Sequence, residues 1–348
     1  MLTCLDVLST KLKHEGSRFI AQGDMAKQLP LYQSLSFEVL WRNAMVCINQ
    51  QNEPGQKFLY NQYYEYINAG YPFEILDGDN FYFHQQFLTE ALTFFREKRI
   101  LVISIIGPQN SGKSTLLNYM FGTLFDVRDG RCTRGIYGSF VKSNCSNFDY
   151  IMLIDTEGLL GVERKDPEYD RRIVLFCLAV SHLVIVNMIG EVNTALQSML
   201  SLCTDSLKKM GVTRIRQPTV HFILNQKADL NTENNRAAID NIIGDIKQIG
   251  PTIDIRHESF HTLPSAFKKE SNSTSNSKLP NLIKTEPDFL ERVQLLCGHI
   301  IKSAESVLDR SSEFSDPIQW IKSSFTIFET LQKFSDLTYY HDINERQQ

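Results

Sequence analysis

The residues able to do chemistry cluster in one run. Gly107-Pro108-Gln109-Asn110-Ser111-Gly112-Lys113-Ser114-Thr115 fills the pattern G-x-x-x-x-G-K-[ST]. Its glycines let the backbone wrap a polyphosphate with N–H groups facing inward, and a following helix adds partial positive charge. In that frame Lys113 reaches the outer phosphates and Ser114 offers a hydroxyl to Mg²⁺, while Gly107, Asn110, Ser111, Gly112 and Thr115 complete the cradle. The flanks turn a string match into a mechanism. Arg99 to Ile106 reads as a buried strand and Thr115 to Met120 as a helix start, the order of elements the motif needs.

A phosphate loop implies a nucleotide without saying which, and three later features narrow the choice. The apolar run Tyr150 to Ile154 delivers Asp155-Thr156-Glu157-Gly158. Asp155 is placed to hold Mg²⁺ through water, and the Gly158 N–H to meet a γ-phosphate; the alternative is a plain strand-end turn. Thr133, in Cys132-Thr133-Arg134-Gly135, can close over the metal and the γ-phosphate, or sit in an ordinary polar loop. Last comes Phe222 to Asp229, where an Asn-Lys-x-Asp element would read the base. Lys227 and Asp229 stand at the right spacing, with Gln226 in the place of the Asn. The Asp of such an element accepts from the ring nitrogen and exocyclic amine of guanine, an arrangement adenine does not offer. The Gln leaves an ATPase of the same fold as a competing reading. Ser265-Ala266 adds only a weak base-pocket signal.

These motifs need positioning elements. From residue 91 onward strands and helices alternate, which predicts an α/β fold with a mostly parallel, doubly wound sheet. The expected strands are 100–106, 139–142, 150–154, 183–188, 220–224 and 260–263; the expected helices are 114–121, 171–180, 193–209 and 233–249. Residues 1–90 read as a helical N-terminal region, with helical patterns over 35–47, 58–67 and 83–98 broken by turns at Gln50 to Gly55 and Asp77 to Asn80. The phosphate-binding domain is expected over 91–310, with a polar low-complexity loop at 268–288, and a helical segment over 311–348.

Composition bounds the rest. At 348 residues and 42% hydrophobic the chain has ample material for a core, and a net charge of −4 argues against a general nucleic-acid binder. Seven scattered cysteines with no CxxC pair indicate neither a zinc site nor a disulfide framework, and reduced core thiols fit a cytoplasmic setting, with the nucleus left open. The amphipathic N-terminus lacks a signal-peptide core. The longest apolar run, Ile173 to Ile189, is broken by Ser181, His182 and Asn187, so no integral membrane segment is expected. His182, His221 and His261 read as core or strand-edge residues, and Phe81 to Phe83 with Phe94-Phe95 as packing.

Gly107 to Asn118, Gly130 to Gly135, Asp155-Thr156-Glu157-Gly158-Leu159 and Asn187-Met188-Ile189-Gly190-Glu191-Val192-Asn193 together resemble dynamin-superfamily GTPases of the interferon-induced very large type. The last two strings are also similar to guanylate-binding proteins and, more distantly, atlastins. The resemblance covers roughly residues 70–345. It implies GTP and GDP as ligands, Mg²⁺-dependent hydrolysis, and a homodimer formed through the nucleotide face. It also implies long attached helical regions; little follows the GTPase domain here, so a stalk is expected to be missing or supplied elsewhere.

Two positions depart from related enzymes. Leu159 stands where Ras-like GTPases carry a water-orienting Gln, and Asn110 where guanylate-binding proteins carry a charge-neutralising Arg, which leaves a GTP-bound scaffold with little or no hydrolysis as an alternative reading. The string G-x-x-N-x-G-K-S-T-L-L-N resembles GTPases in which this Asn helps hold K⁺, which makes K⁺ a candidate second ion. The alternative is that Asn110 merely caps its own loop. Arg131, Arg134 and Arg164 are further candidate charge donors.

Overall fold

The computed structural model describes residues 52–127, 133–161, 166–190, 218–227, 254–269, 283–308 and 316–333, with isolated positions at 41–48 and 198–244. The helices expected over 193–209 and 233–249 fall mostly outside the described residues, as do Asp229, Arg131 and Arg164.

The elements run α1 (Glu53–Asn68), β1 (Phe73–Asp77), β2 (Tyr82–Phe83), α2 (Gln85–Ala91), a 3₁₀ turn (Leu92–Phe95), β3 (Ile100–Ile106), α3 (Lys113–Phe121), β4 (Gly135–Lys142) and β5 (Tyr150–Thr156). They continue with α4 (Pro167–Val180), β6 (Leu183–Ile189), β7 (Thr219–Asn225), β8 (Phe260–Thr262), β9 (Phe267–Lys269), β10 (Ile283–Thr285), α5 (Pro287–Leu308) and α6 (Pro317–Lys333). Eight strands form one sheet in the order β2-β1-β4-β5-β3-β6-β7-β8. From β5 to β8 every neighbouring pair is parallel, whereas β4 runs antiparallel between β5 and β1.

Strand β3 is buried at every residue, as a central parallel strand covered on both faces must be. Its period of two sorts it cleanly. Val102 and Ile106 join the core under α4 and α6, while Leu101, Ile103 and Ile105 join the second core under α3 and α5. The chain turns to β4 and β5 on one side of β3 and to β6 on the other. A reversal of that kind opens a crevice at the strand's C-terminal end, where ligands of open α/β sheets bind. The phosphate loop occupies that end.

Local capping and strand pairing set several element boundaries. Helical positions at Trp41, Ala44, Met45 and Cys47 precede the turn cluster at Gln50 to Gly55, which also starts α1: Asn52 Oδ1 accepts from the Gly55 N–H at 3.0 Å and Pro54 takes a first-turn position that needs no N–H. Asp316-Pro317 opens α6, with Asp316 Oδ1 accepting from the N–H groups of Ile318 and Gln319. The helical reading of 83–98 gives way to β2, α2 and the 3₁₀ turn, and β1 just before them joins the sheet by pairing with β4. The two ends of the expected polar loop pair as β9 and β10, Phe267 opposite Thr285.

The histidines are structural. His182 Nδ1 accepts from the Val102 N–H at 3.0 Å. His221 and His261 share a hydrogen bond at 3.0 Å, and His221 Nε2 meets Ser303 Oγ of α5 at 2.9 Å. Burial lowers their pKa values to about 4 and about 3, so both imidazoles are neutral near pH 7. Phe83 and Phe95 are core residues, while Tyr82 and Phe94 are exposed.

Candidate functional site

At the end of β3 the chain enters the loop through Gly107, whose φ of 153° and surroundings require glycine: a Cβ there would lie 2.0 Å from the Asn187 carbonyl oxygen of β6. Asn110 (φ 61°) and Gly112 (φ 82°) are left-handed, and α3 begins at Lys113. The loop is fastened from outside. The Leu159 N–H donates to the Gly107 carbonyl and the Gln109 N–H to the Leu159 carbonyl, both at 3.0 Å. Buried Lys113 reaches back so that Nζ donates to the carbonyls of Gly107 (3.2 Å) and Pro108 (3.1 Å). Thr115 lies half-buried in the first turn of α3.

Three oxygen-bearing residues from separate segments meet beside it. Ser114 Oγ donates to Asp155 Oδ2 at 2.6 Å and Thr133 Oγ1 to the same atom at 3.1 Å. The other carboxylate oxygen, Oδ1, is buried with no hydrogen-bond partner. Burial raises the Asp155 pKa, opposed by the Lys113 charge and by the two hydroxyls. Two hydroxyls and a carboxylate with a spare buried lone pair are hard oxygen donors, and they fit Mg²⁺.

The Asp155 turn is braced in turn. Gly158 has no room for a side chain, since a Cβ would come within 2.4 Å of Gln109 Cα. Buried Glu157 accepts through Oε2 from the Gly135 N–H and from the Tyr169 hydroxyl, both at 3.0 Å, and its own N–H donates to the Gly135 carbonyl. Thr133, two residues before Gly135, is thereby tied to the Asp155 turn and to α4. Arg134 lies 3.6 Å from Asp79 with its side chain half exposed.

At the end of β7 the side-chain amide that meets the phosphate loop belongs to Asn225, not Gln226. Asn225 Nδ2 donates to the Ser111 carbonyl at 3.4 Å and its Oδ1 accepts from the Gln226 N–H at 2.9 Å. Gln226 itself is exposed on a left-handed turn (φ 57°). The Lys227 N–H donates to the Leu263 carbonyl, which brings this turn beside Ser265-Ala266 after β8. Sequence reasoning also missed Asn187 and Glu157 as contact residues, although both lie within strings it had singled out.

Asp155 generates a sign-definite expectation. Its folded pKa lies above the ordinary 3.8. The folded state therefore binds the proton more tightly than the unfolded chain, and stability falls as pH rises through the folded value. In nucleotide- and metal-free protein, Asp155→Asn should raise Tm at pH 7, and the gain should vanish below pH about 3.8, where wild type is protonated in both states. Thermal unfolding across pH checks this; an equal or lower Tm at neutral pH would contradict it.

The profile of the URGCP-like GTPase domain matches residues 39–287. Interferon-induced very large GTPase 1 is 33% identical over 44% of this chain in the Mus musculus protein and over 42% in the Homo sapiens protein. The Dictyostelium discoideum protein SEY1 homolog is 29% identical over 68% of this chain. The chain spans 7%, 6% and 28% of the length of these relatives. On the extent of that match, with the phosphate loop and its partners in place, the chain belongs to the URGCP-like GTPase domain family.

Proposed function

We propose that this chain binds GTP with Mg²⁺, hydrolyses it to GDP and phosphate, and self-associates according to the nucleotide held. The observation that carries the reading is the convergence of Ser114 and Thr133 on Asp155 Oδ2 beside the phosphate loop. Mg²⁺, when bound, neutralises charge on the transferring phosphate. The chain's own residues do the remainder. Loop amides orient the phosphates, and Lys113 exchanges its carbonyl contacts for them. Thr133 closes with the segment leading into β4, and the Gly158 N–H faces the γ-phosphate. GTPase-named relatives favour guanine. The experiment is calorimetric titration with GTP, with ATP as competitor: GTP uptake lost in Lys113→Ala supports the reading, and preference for ATP or no uptake overturns it.

Leu159 is buried and its backbone pairs with the loop, so it cannot orient water. That favours slow turnover unless another group supplies charge. We put forward K⁺ held by Asn110 as that charge. Asn110 is exposed at the loop tip, and its side chain makes no hydrogen bond among the described residues, which leaves its amide oxygen for K⁺. Turnover should then be faster in potassium than in sodium buffer and lose that difference in Asn110→Ala; equal rates in wild type would remove K⁺ from the mechanism.

Self-association rests on the family resemblance. Light scattering should show a larger mass with a non-hydrolysable GTP analogue than with GDP or no nucleotide. A constant mass would leave GTP binding intact and remove the coupling.

A further inference from the structure

A side chain to which no phosphate, metal or base role has been given fixes the loop. Asn187 is fully buried near the end of β6, among Val186, Met188 and Ile185, where an apolar residue would be expected. Its Nδ2 donates to the Ser111 carbonyl at 2.7 Å and lies 3.2 Å from Ser111 Oγ. Its own Oδ1 is buried with no partner. The side-chain alternation of β6 and β7 directs Asn187 and Asn225 to the sheet face that carries α3, so two amides from neighbouring strands grip one carbonyl.

That grip has a consequence for anion binding. The Ser111–Gly112 peptide is trans, like every peptide bond described. In a planar trans peptide the C=O and the N–H point in opposite directions. Holding the Ser111 carbonyl toward β6 and β7 therefore turns the Gly112 N–H into the phosphate cradle. Released, the same peptide could rotate and place a carbonyl oxygen, with its partial negative charge, where a phosphate oxygen must sit. We propose that Asn187 is a positioning residue for GTP binding, setting the orientation of the Ser111–Gly112 peptide. The proposal rests on the phosphate-loop reading above. It also accounts for a buried amide kept with one end unpartnered: the arrangement favours the ligand at the expense of the free protein.

The test uses the full chain and two variants. Asn187→Leu removes the donor and fills the space with apolar atoms. We expect nucleotide-free Tm to hold or rise, Kd for both Mg·GDP and a Mg·GTP analogue to weaken roughly tenfold, and KM to rise with kcat at saturation retained. Asn187→Asp keeps the shape but opposes a carboxylate to a carbonyl. Its affinity relative to wild type at the same pH should be poor at pH 8 and recover in part below pH about 6, where a buried acid regains a proton to donate. A purely space-filling role predicts neither the pH recovery nor the split between Tm and Kd. The inference fails if Asn187→Leu binds nucleotide as tightly as wild type, if Tm and affinity fall together in both variants, or if neither variant folds. If wild type takes up no nucleotide, the functional reading beneath it fails instead.

Discussion

A carboxylate withdrawn from water governs this structure. Asp155 stands at the end of a strand whose preceding residues are buried and apolar, and it is itself 1% exposed. The effective penalty for burying an ion is several kcal/mol after relaxation. Partners supplied by the chain offset that penalty: Ser114 and the ammonium of Lys113 in the first turn of α3, Thr133 in the segment before β4, and the backbone at Thr156. The compensation remains incomplete, since the pKa stays raised. Segments far apart in sequence are therefore held within hydrogen-bond distance of one another by the same group that is suited to a divalent cation.

The fold makes that convergence possible by placing chain reversals at one edge. β3 has β5 on one side and β6 on the other, so the loop after it lies between the ends of both. Each neighbour contributes a fastening. From β5 come Asp155 and, beyond it, the Leu159 pairing with Gly107 and Gln109. From β6 comes the Asn187 carbonyl that excludes a Cβ at Gly107 and the amide that takes hold of Ser111. Glu157 extends the set of contacts to Gly135 and Tyr169, so the segment leading into β4 is joined to α4 through one buried carboxylate. The phosphate loop, the Asp155 turn and the segment before β4 are thereby linked through shared hydrogen bonds.

What could be read from the residues alone follows from the range of the interactions. The phosphate loop, β3 and Asp155 were legible because motif spacing and long buried runs are local signals, and β3 begins and ends where its apolar run does. β1 was not, because Phe73-Glu74-Ile75-Leu76-Asp77 is short, lies between turns, and owes its strand form to pairing with β4 some sixty residues later. Asn187 and Asn225 bind Ser111 across 76 and 114 residues of sequence, distances at which no periodicity speaks. The Asn225 contact escaped the motif for a related reason. Counting along a motif places the amide at 226, but the strand's alternation continues through Asn225 and the chain leaves the sheet at Gln226 with a positive φ.

Two acceptor atoms left without partners, Asp155 Oδ1 and Asn187 Oδ1, stand at the ends of the two strands that flank β3. Each unpaired buried polar atom costs about 1–3 kcal/mol, a sizeable share of a domain's net stability. Apolar replacements would remove that cost, and the surrounding strands show that this chain uses Val, Ile, Leu and Met freely in such positions. Both atoms sit beside the phosphate loop, on side chains whose other ends fasten that loop or its neighbouring segments. Of the two, the carboxylate oxygen of Asp155 is suited to a cation, whereas a phosphate, itself an acceptor, cannot satisfy the amide oxygen of Asn187, whose cost is offset only through the donor at the other end of the same side chain.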